Sequence, residues 1–352
     1  MILVAVMAGA LWGIGAFMGT PRTPRFVMLG VLFGAVFVIQ LALPDGHPLR
    51  QATGGEPALW LLIASFAALI WVYRSALGWL RGRADVPPDL PQASARPGRF
   101  TPTELGRYAR HITLREIGGP GQNALRDARV LVVGAGGLGS PTLQYLAAAG
   151  VGMIGVIDDD LVENANLQRQ VIHTDAMIGT PKVRSAMTAM LAQNPFVTVR
   201  PFQRRLTADI AVALFADYDL ILEGSDNFET RYLVNATAVQ AAKPLIAAAL
   251  TQWEGQISVY DPAHGTPCYA CVFPVAPDRA LVPSCAEAGV LGPLPGVMGA
   301  MMAVEAIKVI TQAGEGLRGR LLIYDALYAE TRIIGIKKRA DCAVCGGSHA
   351  MG

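Results

Sequence analysis

The sequence predicts an α/β fold in which helices flank a mainly parallel β-sheet, with three transmembrane helices before that domain. Two observations support this prediction. Apolar strands alternate with helical segments after residue 100, and three long apolar runs lie before residue 80. The predicted organisation is a membrane anchor over residues 1–80, a proline-rich linker over residues 81–100 and one folded domain over residues 101–352.

The three apolar runs, residues 1–18, 26–43 and 59–73, contain no charged residue. Each is close to the length that crosses a bilayer, and the third reaches that length if it continues through residues 76–80. The chain is 52% hydrophobic and only 16% charged, which is too apolar for a purely soluble protein. A signal peptide is the alternative for the first run, which lacks a basic start, and buried soluble helices are the alternative for all three.

Arginines set the expected orientation of these helices. They lie in the first loop and after the third run, and by the positive-inside tendency both regions face the cytoplasm. The expected location is the inner (cytoplasmic) membrane, with a multi-pass anchor, an external N-terminus and the folded domain in the cytoplasm. The arginines are Arg22 and Arg25 in the first loop, and Arg74, Arg81 and Arg83 after the third run.

Prolines mark two further segments. Those between residues 85 and 98 predict a stiff, extended linker. A fourth apolar stretch, residues 288–310, is predicted to be a loop followed by a buried core helix from about residue 296 to residue 311. Pro293 and Pro295 interrupt this stretch, which argues against a membrane span.

Alternating strands and helices organise the region after residue 100. A strand, a glycine turn, a helix and a second strand form one βαβ unit, and a second unit follows. This alternation predicts parallel strands joined by helical crossovers. The predicted strands are residues 130–133, the segment GMIGVID, and residues 220–222, 244–249, 254–260 and 320–324, and the predicted helices are residues 140–149 and 230–242.

The glycine turn after the first strand predicts a Rossmann-like nucleotide site. Gly134, Gly136, Gly137 and Gly139 let the backbone approach a phosphate at a helix N-terminus. Asp158, which follows the second strand, suits a ribose hydroxyl. The motif also fits a nicotinamide or flavin cofactor, or a tight turn without a ligand.

Cationic and amide side chains after the second strand help to decide between a dinucleotide and a triphosphate. Asn166, Arg169, Gln170 and Lys182 bring two cations and two amides into a short span. A dinucleotide needs little beyond the helix N-terminus, whereas a reacting triphosphate needs side-chain cations and usually a metal. Asp226 follows another apolar strand and is a candidate ligand for Mg²⁺. The sequence therefore favours ATP.

Four of the five cysteines form two C-x-x-C pairs. Cys268, Cys271, Cys342 and Cys345 would complete a tetrahedral shell for Zn²⁺, which adds a zinc-knuckle element to the fold. A redox-active pair is the competing interpretation. The remaining Cys285 is either unreactive or chemically active. The net charge of +2 gives no reason to expect nucleic acid as a partner, and the five histidines show no ligand spacing.

Several segments after residue 100 resemble, in order and spacing, the bacterial ThiF/MoeB/HesA-type enzymes that adenylate small ubiquitin-like sulfur carriers. The molybdopterin-synthase adenylyltransferases are most similar, and the thiamine-pathway enzymes are the nearest alternative. Residues 1–100 show no such resemblance. The segments are RYARHITL, GAGGLGSP, DDDLVENANLQRQ, GTPKV, GSDNFETR, EGQISVY, PCYAC, CAEAGVLGP and CAVCGG.

The resemblance implies roles for individual residues. The four glycines would cradle ATP and Asp158 would hold the ribose, while Asp226 would bind Mg²⁺. Arg110 would reach the partner's triphosphate across a homodimer interface, and Cys285 would take part in sulfur chemistry in some members. The residues implied to contact phosphates are Asn166, Arg169 and Lys182.

The implied activity is ATP-dependent adenylation of a carrier's C-terminal glycine carboxylate, and the expected carrier is the small subunit of molybdopterin synthase. A separate sulfurtransferase or cysteine desulfurase would donate the sulfur. Two other classes stay open. A membrane-anchored NAD(P)- or flavin-dependent oxidoreductase would leave Arg169, Lys182 and the cysteines without a role, and a nucleotide-binding scaffold would lack catalysis.

Overall fold

The structure is a computed structural model that describes residues 2–20, 22–55, 57–84, 100–276 and 288–346. Contacts divide the chain into two compact units, residues 1–92 and 93–352. The predicted linker falls largely on residues 85–99, which lie outside the described residues.

The N-terminal unit consists of apolar helices around a small core. Val4, Val36 and Trp60 are buried together, whereas other large side chains, such as Phe17 and Trp71, are exposed. One polar contact stands out, because the buried Gln40 donates to the Thr53 hydroxyl over 2.7 Å. The helices are α1 (Ile2–Phe17), α2 (Arg22–Ala42), α3 (Pro48–Thr53) and α4 (Pro57–Ala84).

Two helices in the described part of the chain are long and apolar enough to cross a membrane. Pro24–Ala42 belongs to α2, and Pro293–Thr311 is a partly buried helix of the second unit. The apolar stretches Leu3–Phe17 and Trp60–Ala76, in α1 and α4, are shorter. The structure thus shows helices at all three predicted spans without showing three membrane-spanning helices, and the three-span anchor stays a prediction.

The second unit is built around one eight-stranded sheet with the order β3-β2-β1-β4-β5-β6-β7-β8. The five strands from β3 to β5 pair in parallel, and the pairs from β5 to β8 are antiparallel. The sheet is therefore mixed, with its parallel half where βαβ units were predicted. Its elements in chain order are α5 (Pro102–Ile112), α6 (Gly118–Asp127), β1 (Arg129–Val133), α7 (Gly139–Ala149), β2 (Met153–Ile157), α8 (Lys182–Gln193), β3 (Thr198–Phe202), α9 (Ala208–Ala216), β4 (Leu220–Glu223), α10 (Phe228–Gln240), β5 (Leu245–Leu250), β6 (Glu254–Tyr260), α11 (Tyr269–Val272), α12 (Pro293–Thr311), β7 (Arg320–Asp325) and β8 (Glu330–Gly335).

Strand β1 shows that both faces of the parallel half are covered. Val130 and Val132 pack into one core cluster, which includes side chains of α7, α8 and α12. Leu131 and Val133 pack into a second cluster with side chains of α9 and α10. Burial on both faces explains why this strand reads as a continuous apolar run rather than an alternating one.

The core helix predicted after residue 288 is α12, but it begins at Pro293 rather than near residue 296. The two prolines lie in its first turn, where a missing N–H breaks no helical hydrogen bond. Gly299 allows the close crossing with α7, because a Cβ there would lie 2.3 Å from the Leu138 carbonyl oxygen. The Thr142 hydroxyl donates to the Gly299 carbonyl over 2.9 Å.

Candidate active site

A cavity of about 360 Å³ lies at the carboxyl ends of β1, β2 and β4. Ligands of open α/β sheets bind at this edge, at a switch point where the connections from two neighbouring strands run to opposite sides of the sheet. The order β2-β1-β4-β5 places that switch point between β1 and β4. The polar and glycine residues that line the cavity are Gly134, Gly136, Gly137, Asp158, Asp159, Asp160, Arg169, Gln170, Lys182, Arg204, Arg205, Gly224, Ser225, Asp226, Asn227 and Thr230.

The glycine turn is held by close backbone approach. Gly134 has φ +96°, and a Cβ there would lie 3.1 Å from the Gly224 carbonyl oxygen. A Cβ at Gly139 would lie 2.0 Å from the Gly134 carbonyl oxygen, so Gly139 serves the turn itself and does not line the cavity. Gly136 and Gly137 do line the cavity, which leaves their backbone available to a phosphate.

Asp158 lies at the carboxyl end of β2 with both oxygens oriented by backbone donors. Its Oδ2 accepts from the Ala135 N–H over 2.8 Å, and its Oδ1 accepts from the Asp160 N–H over 2.9 Å. Burial raises the pKa of Asp158, while the Ala135 N–H and the Lys182 ammonium oppose that shift. Each oxygen retains acceptor capacity for a ribose hydroxyl.

Two of the predicted cations face the cavity. The Lys182 side chain is only 6% exposed, and its ammonium lies 2.6 Å from Asp160 Oδ2. Arg169 donates to Asn166 Oδ1 over 3.3 Å. Asn166 accepts this bond and does not line the cavity, so its predicted contact with a phosphate stays a prediction.

Asp226 follows β4 on the loop before α10. Among the described residues, its carboxylate makes no hydrogen bond or ion pair, and it lines the cavity as an exposed side chain. An uncommitted carboxylate fits the oxygen ligands that Mg²⁺ prefers. The acids Asp158, Asp159 and Asp160 also lie close together, but two of them are engaged by N–H groups and Lys182.

A buried ion pair supports the Asp226 loop, and sequence reasoning missed it. Glu223 is fully buried, and its Oε2 lies 3.1 Å from Arg231 Nε. Glu223 also accepts from the Ser225 N–H over 2.7 Å, and Arg231 donates to the Ser225 carbonyl over 3.0 Å. Burial raises the pKa of Glu223, against the opposing charge of Arg231. The sequence signal for this pair was Glu223 itself, an acidic residue at the end of the apolar strand LILE.

Sequence reasoning also missed Arg204 and Arg205, which line the cavity after β3. Arg205 lies 2.9 Å from Glu229 in the first turn of α10. Both arginines are exposed and add positive charge where a polyphosphate would bind.

Arg110 and Cys285 are the remaining predicted site residues. Arg110 is exposed on α5 and lines a separate groove of about 520 Å³ between α5, α7 and α12. It is therefore not among the residues that line the nucleotide cavity. Cys285 lies outside the described residues, so its role stays a prediction.

The four remaining cysteines converge in one buried cluster and are free thiols. The sulfur of Cys268 lies 3.9 Å from that of Cys271 and 3.6 Å from that of Cys342, and the sulfurs of Cys271 and Cys345 are 3.4 Å apart. Thiolates about 2.3 Å from a tetrahedral Zn²⁺ are about 3.8 Å apart, so the cluster fits a zinc site.

The four thiols differ in acidity: burial raises the pKa of Cys268, and it raises the pKa of Cys345 to about 11. Burial raises the pKa of Cys342, but the N–H groups of Cys345 and Val344 more than offset it and lower that pKa to about 7. Asn235 on α10 lies 3.8 Å from the Cys268 sulfur, and the Arg339 N–H lies 3.5 Å from the Cys271 sulfur. The cluster joins the segment around α11 to the segment that follows β8.

Comparison with known proteins identifies the family. The ThiF family profile matches residues 108–344. The chain belongs to the ThiF family of adenylyltransferases. It is 49% identical over 252 residues to the sulfur carrier protein adenylyltransferase of Thermus thermophilus, covering 70% of this chain and 93% of that protein.

Two further relatives extend the comparison. The SAMP-activating enzyme E1 of Haloferax volcanii is 47% identical, over 69% of this chain and 90% of that protein. The probable adenylyltransferase/sulfurtransferase MoeZ of Mycobacterium tuberculosis is 50% identical, over 72% of this chain and 64% of that protein. The match thus spans somewhat less than two-thirds of MoeZ. None of these three alignments covers more than 72% of this chain.

Solved structures share the fold. Escherichia coli MccB, crystallised with MccA-N7isoASN, superposes with a TM-score of 0.60 at 24% identity, covering 68% of this chain and 75% of that one. PaaA superposes with a TM-score of 0.59 at 22% identity, covering 67% of this chain and 84% of that one. At this identity the likeness concerns the fold alone.

Proposed function

We propose that the protein uses ATP to adenylate the C-terminal glycine carboxylate of a ubiquitin-like sulfur-carrier protein. The observation that carries the proposal is the convergence of Asp158, Arg169, Lys182 and Asp226 on one cavity beside the glycine turn. This set provides a ribose acceptor, phosphate-binding cations and a free carboxylate for Mg²⁺. Related sulfur-carrier adenylyltransferases support the same substrate class.

In the proposed reaction, a carrier carboxylate oxygen attacks the α-phosphorus of ATP. The bond between the α-phosphorus and the bridging oxygen breaks, which yields carrier acyl-adenylate and pyrophosphate. Arg169 and Lys182 neutralise the phosphates, and the glycine turn fixes the nucleotide. Asp226 would hold Mg²⁺, which would neutralise further charge on the triphosphate.

The finer proposal is that the carrier is the small subunit of molybdopterin synthase, for molybdenum-cofactor biosynthesis. The adenylyltransferase and sulfurtransferase relatives named MoeZ and MOCS3 are consistent with it. The thiamine-pathway carrier is the alternative. Carrier-dependent exchange of labelled pyrophosphate into ATP, measured with each purified carrier, decides between them. Exchange with the thiamine carrier alone would contradict the molybdopterin proposal, and exchange with no Gly-Gly carrier would contradict the function.

An oxidoreductase would show a different ligand preference. The cations beside the glycine turn suit a triphosphate better than the single pyrophosphate of NAD(P). ATP with Mg²⁺ should therefore raise the melting temperature of the protein, whereas NAD and FAD should not. Stabilisation by NAD or FAD in preference to ATP would contradict the proposed nucleotide.

We further propose that the N-terminal helices anchor the domain to the inner membrane. The exposed apolar side chains of α1, α2 and α4 support this, since such a surface is unfavourable in water. In the proposed topology the loop around Gly19 is cytoplasmic and the loop around Gly46 is external.

Cysteine labelling tests that topology with a matched pair of variants. A membrane-impermeant maleimide added to intact cells should label Gly46→Cys and leave Gly19→Cys unlabelled. Both variants should stay with the membrane after carbonate extraction. Equal labelling of the two positions would contradict the orientation, and release by carbonate would contradict the anchor.

A further inference from the structure

His173 is a buried titratable residue that the proposed reaction leaves without a role. It lies between Arg169 and Lys182 in sequence, and its side chain is 5% exposed. Its two ring nitrogens contact different parts of the nucleotide site. Nε2 lies 2.9 Å from the Ala135 carbonyl oxygen, and Nδ1 lies 2.9 Å from the Ser185 hydroxyl.

The Ala135 contact reaches the centre of the glycine turn. Ala135 lies between Gly134 and Gly136 and is fully buried. Its N–H donates to Asp158, and its carbonyl faces His173. The N–H and the carbonyl of Ala135 are thus both held by side chains, those of Asp158 and His173. Without His173, the buried carbonyl would lose its partner, which is unfavourable.

The Ser185 contact reaches the helix that carries the phosphate-binding lysine. Ser185 is buried on α8, and Lys182 is one turn earlier on the same helix. The backbone N–H of His173 donates to the Gln170 carbonyl over 3.1 Å, next to Arg169. The imidazole therefore joins the glycine turn to the helix that begins at Lys182, and the backbone of the same residue is bonded to the loop that carries Arg169.

The chemistry of the contacts fixes one tautomer. A carbonyl oxygen only accepts, so Nε2 must carry the proton and donate to Ala135. Nδ1 then accepts from the Ser185 hydroxyl. Burial lowers the pKa of His173, the Ala135 carbonyl opposes that shift, and the Lys182 ammonium adds to it, so the ring stays neutral near pH 7.

We infer that His173 is a positioning residue of the nucleotide site, and that its Nε2–H bond to Ala135 holds the glycine turn in the geometry that binds ATP. This inference rests on the proposed function, because it assumes that ATP occupies the cavity. It extends that function by giving a role to a residue that does not line the cavity itself.

Two amide substitutions separate the two ring contacts. The amide nitrogen of glutamine in His173→Gln can take the place of Nε2, whereas the shorter asparagine in His173→Asn reaches only the place of Nδ1. Binding of ATP with Mg²⁺ to the full-length protein in detergent is measured by calorimetry, with the melting temperature of each variant recorded alongside. His173→Gln should bind within about threefold of wild type, and His173→Asn about tenfold more weakly.

The outcomes distinguish the two proposals. Equal dissociation constants for the two variants would overturn the role of His173, whatever their melting temperatures. Failure of the wild-type protein to bind ATP would instead refute the proposed function. If neither variant folds, nitrogen-15 spectra of the wild-type histidines test the contact, with His173 assigned by the shift of its signals in Ser185→Ala. A neutral ring protonated at Nε2 at pH 7 is expected, and the Nδ1–H tautomer or a charged ring would overturn the inference.

Discussion

The nucleotide cavity and the cysteine cluster belong to the same unit but are supported in different ways. At the cavity, Asp226 is exposed, whereas Glu223 and Arg231, which hold its loop, are buried. In the cluster, the four thiols that would hold a metal ion are themselves buried. The cysteine pairs in the sequence include every thiol of the cluster. The motif around Asp226, in contrast, does not reveal the buried ion pair that holds its loop.

Helix α10 connects the two regions. Asn227 caps its first turn by accepting from the Thr230 N–H over 2.8 Å, directly after Asp226. Two turns later, Asn235 accepts from the Tyr269 N–H over 2.8 Å, beside Cys268. Variants of the two regions that this helix connects test whether activity and zinc binding can be lost independently.

The largest expected effect is that of Asp226→Ala on chemistry. Loss of this carboxylate should reduce carrier-dependent ATP–pyrophosphate exchange by at least about 100-fold, because the triphosphate loses its neutralising metal. Zinc content and melting temperature should stay unchanged, since Asp226 supports no other group among the described residues. Exposed Asp175, which does not line the cavity, provides the control Asp175→Ala. Exchange at the wild-type rate would remove Asp226 from the mechanism.

The next largest effect should come from the buried support of the same loop. Glu223→Gln leaves Arg231 as a buried charge without its counter-ion, and breaking a buried pair in this way costs about 3–5 kcal/mol. The free energy of unfolding in urea should fall by that amount, and exchange should fall with it. The exposed Arg205–Glu229 pair offers a matched control, because Glu229→Gln should cost less than about 1 kcal/mol. Equal losses for the two variants would contradict the supporting role of Glu223.

Cys342→Ser tests the cysteine cluster. We expect one Zn²⁺ per wild-type chain and its release from the variant, with a melting temperature lower by roughly 5 °C, because metal binding is coupled to folding. Some exchange activity should persist below that temperature, since no cysteine of the cluster lines the cavity. Cys285→Ser should keep its zinc. Elemental analysis that finds no zinc in the wild-type protein, or disulfides among these thiols, would contradict the site.

Burial explains which strands were predicted from the sequence. Strands β1 and β2 are covered on both faces, and their apolar runs were found within a residue or two. Strands β3 and β8 were missed. They lie at the two edges of the sheet, where β3 contains a proline and every residue of β8 is exposed, so neither carries a buried apolar pattern.

The candidate site likewise contains residues that a sequence pattern indicates and contacts that no pattern indicates. Gly134, Asp158, Lys182 and Asp226 follow strand ends or glycine turns, and a parallel sheet brings such positions to one edge. Contacts such as that between His173 and Ala135 span 38 residues and have no spacing rule, so no local pattern could have indicated them. Strands β6 and β7 were predicted as strands but not as antiparallel ones, because strand direction depends on the connections between strands.

The smallest expected signal is a partial recovery of activity, and it tests whether the site is complete within one chain. Arg110 does not reach its own cavity, and the groove beside it is lined by apolar side chains such as Tyr145 and Val304, which supports contact with a second copy. Arg110→Ala and Asp226→Ala should each be inactive alone. In a dimer of the two variants, an arginine that acts in trans leaves one site with both groups and one with neither.

Equal mixing should therefore restore about a quarter of the wild-type exchange rate, because half of the dimers are mixed and each has one intact site of two. Co-expression with two different affinity tags, followed by tandem purification, isolates the mixed dimer, which should reach about half of the wild-type rate. Co-purified Arg110→Ala homodimers carry no intact site and set the background. Purified mixed dimers at that background would show that Arg110 serves its own subunit or none, whereas failure of the two tags to co-purify would contradict the homodimer itself.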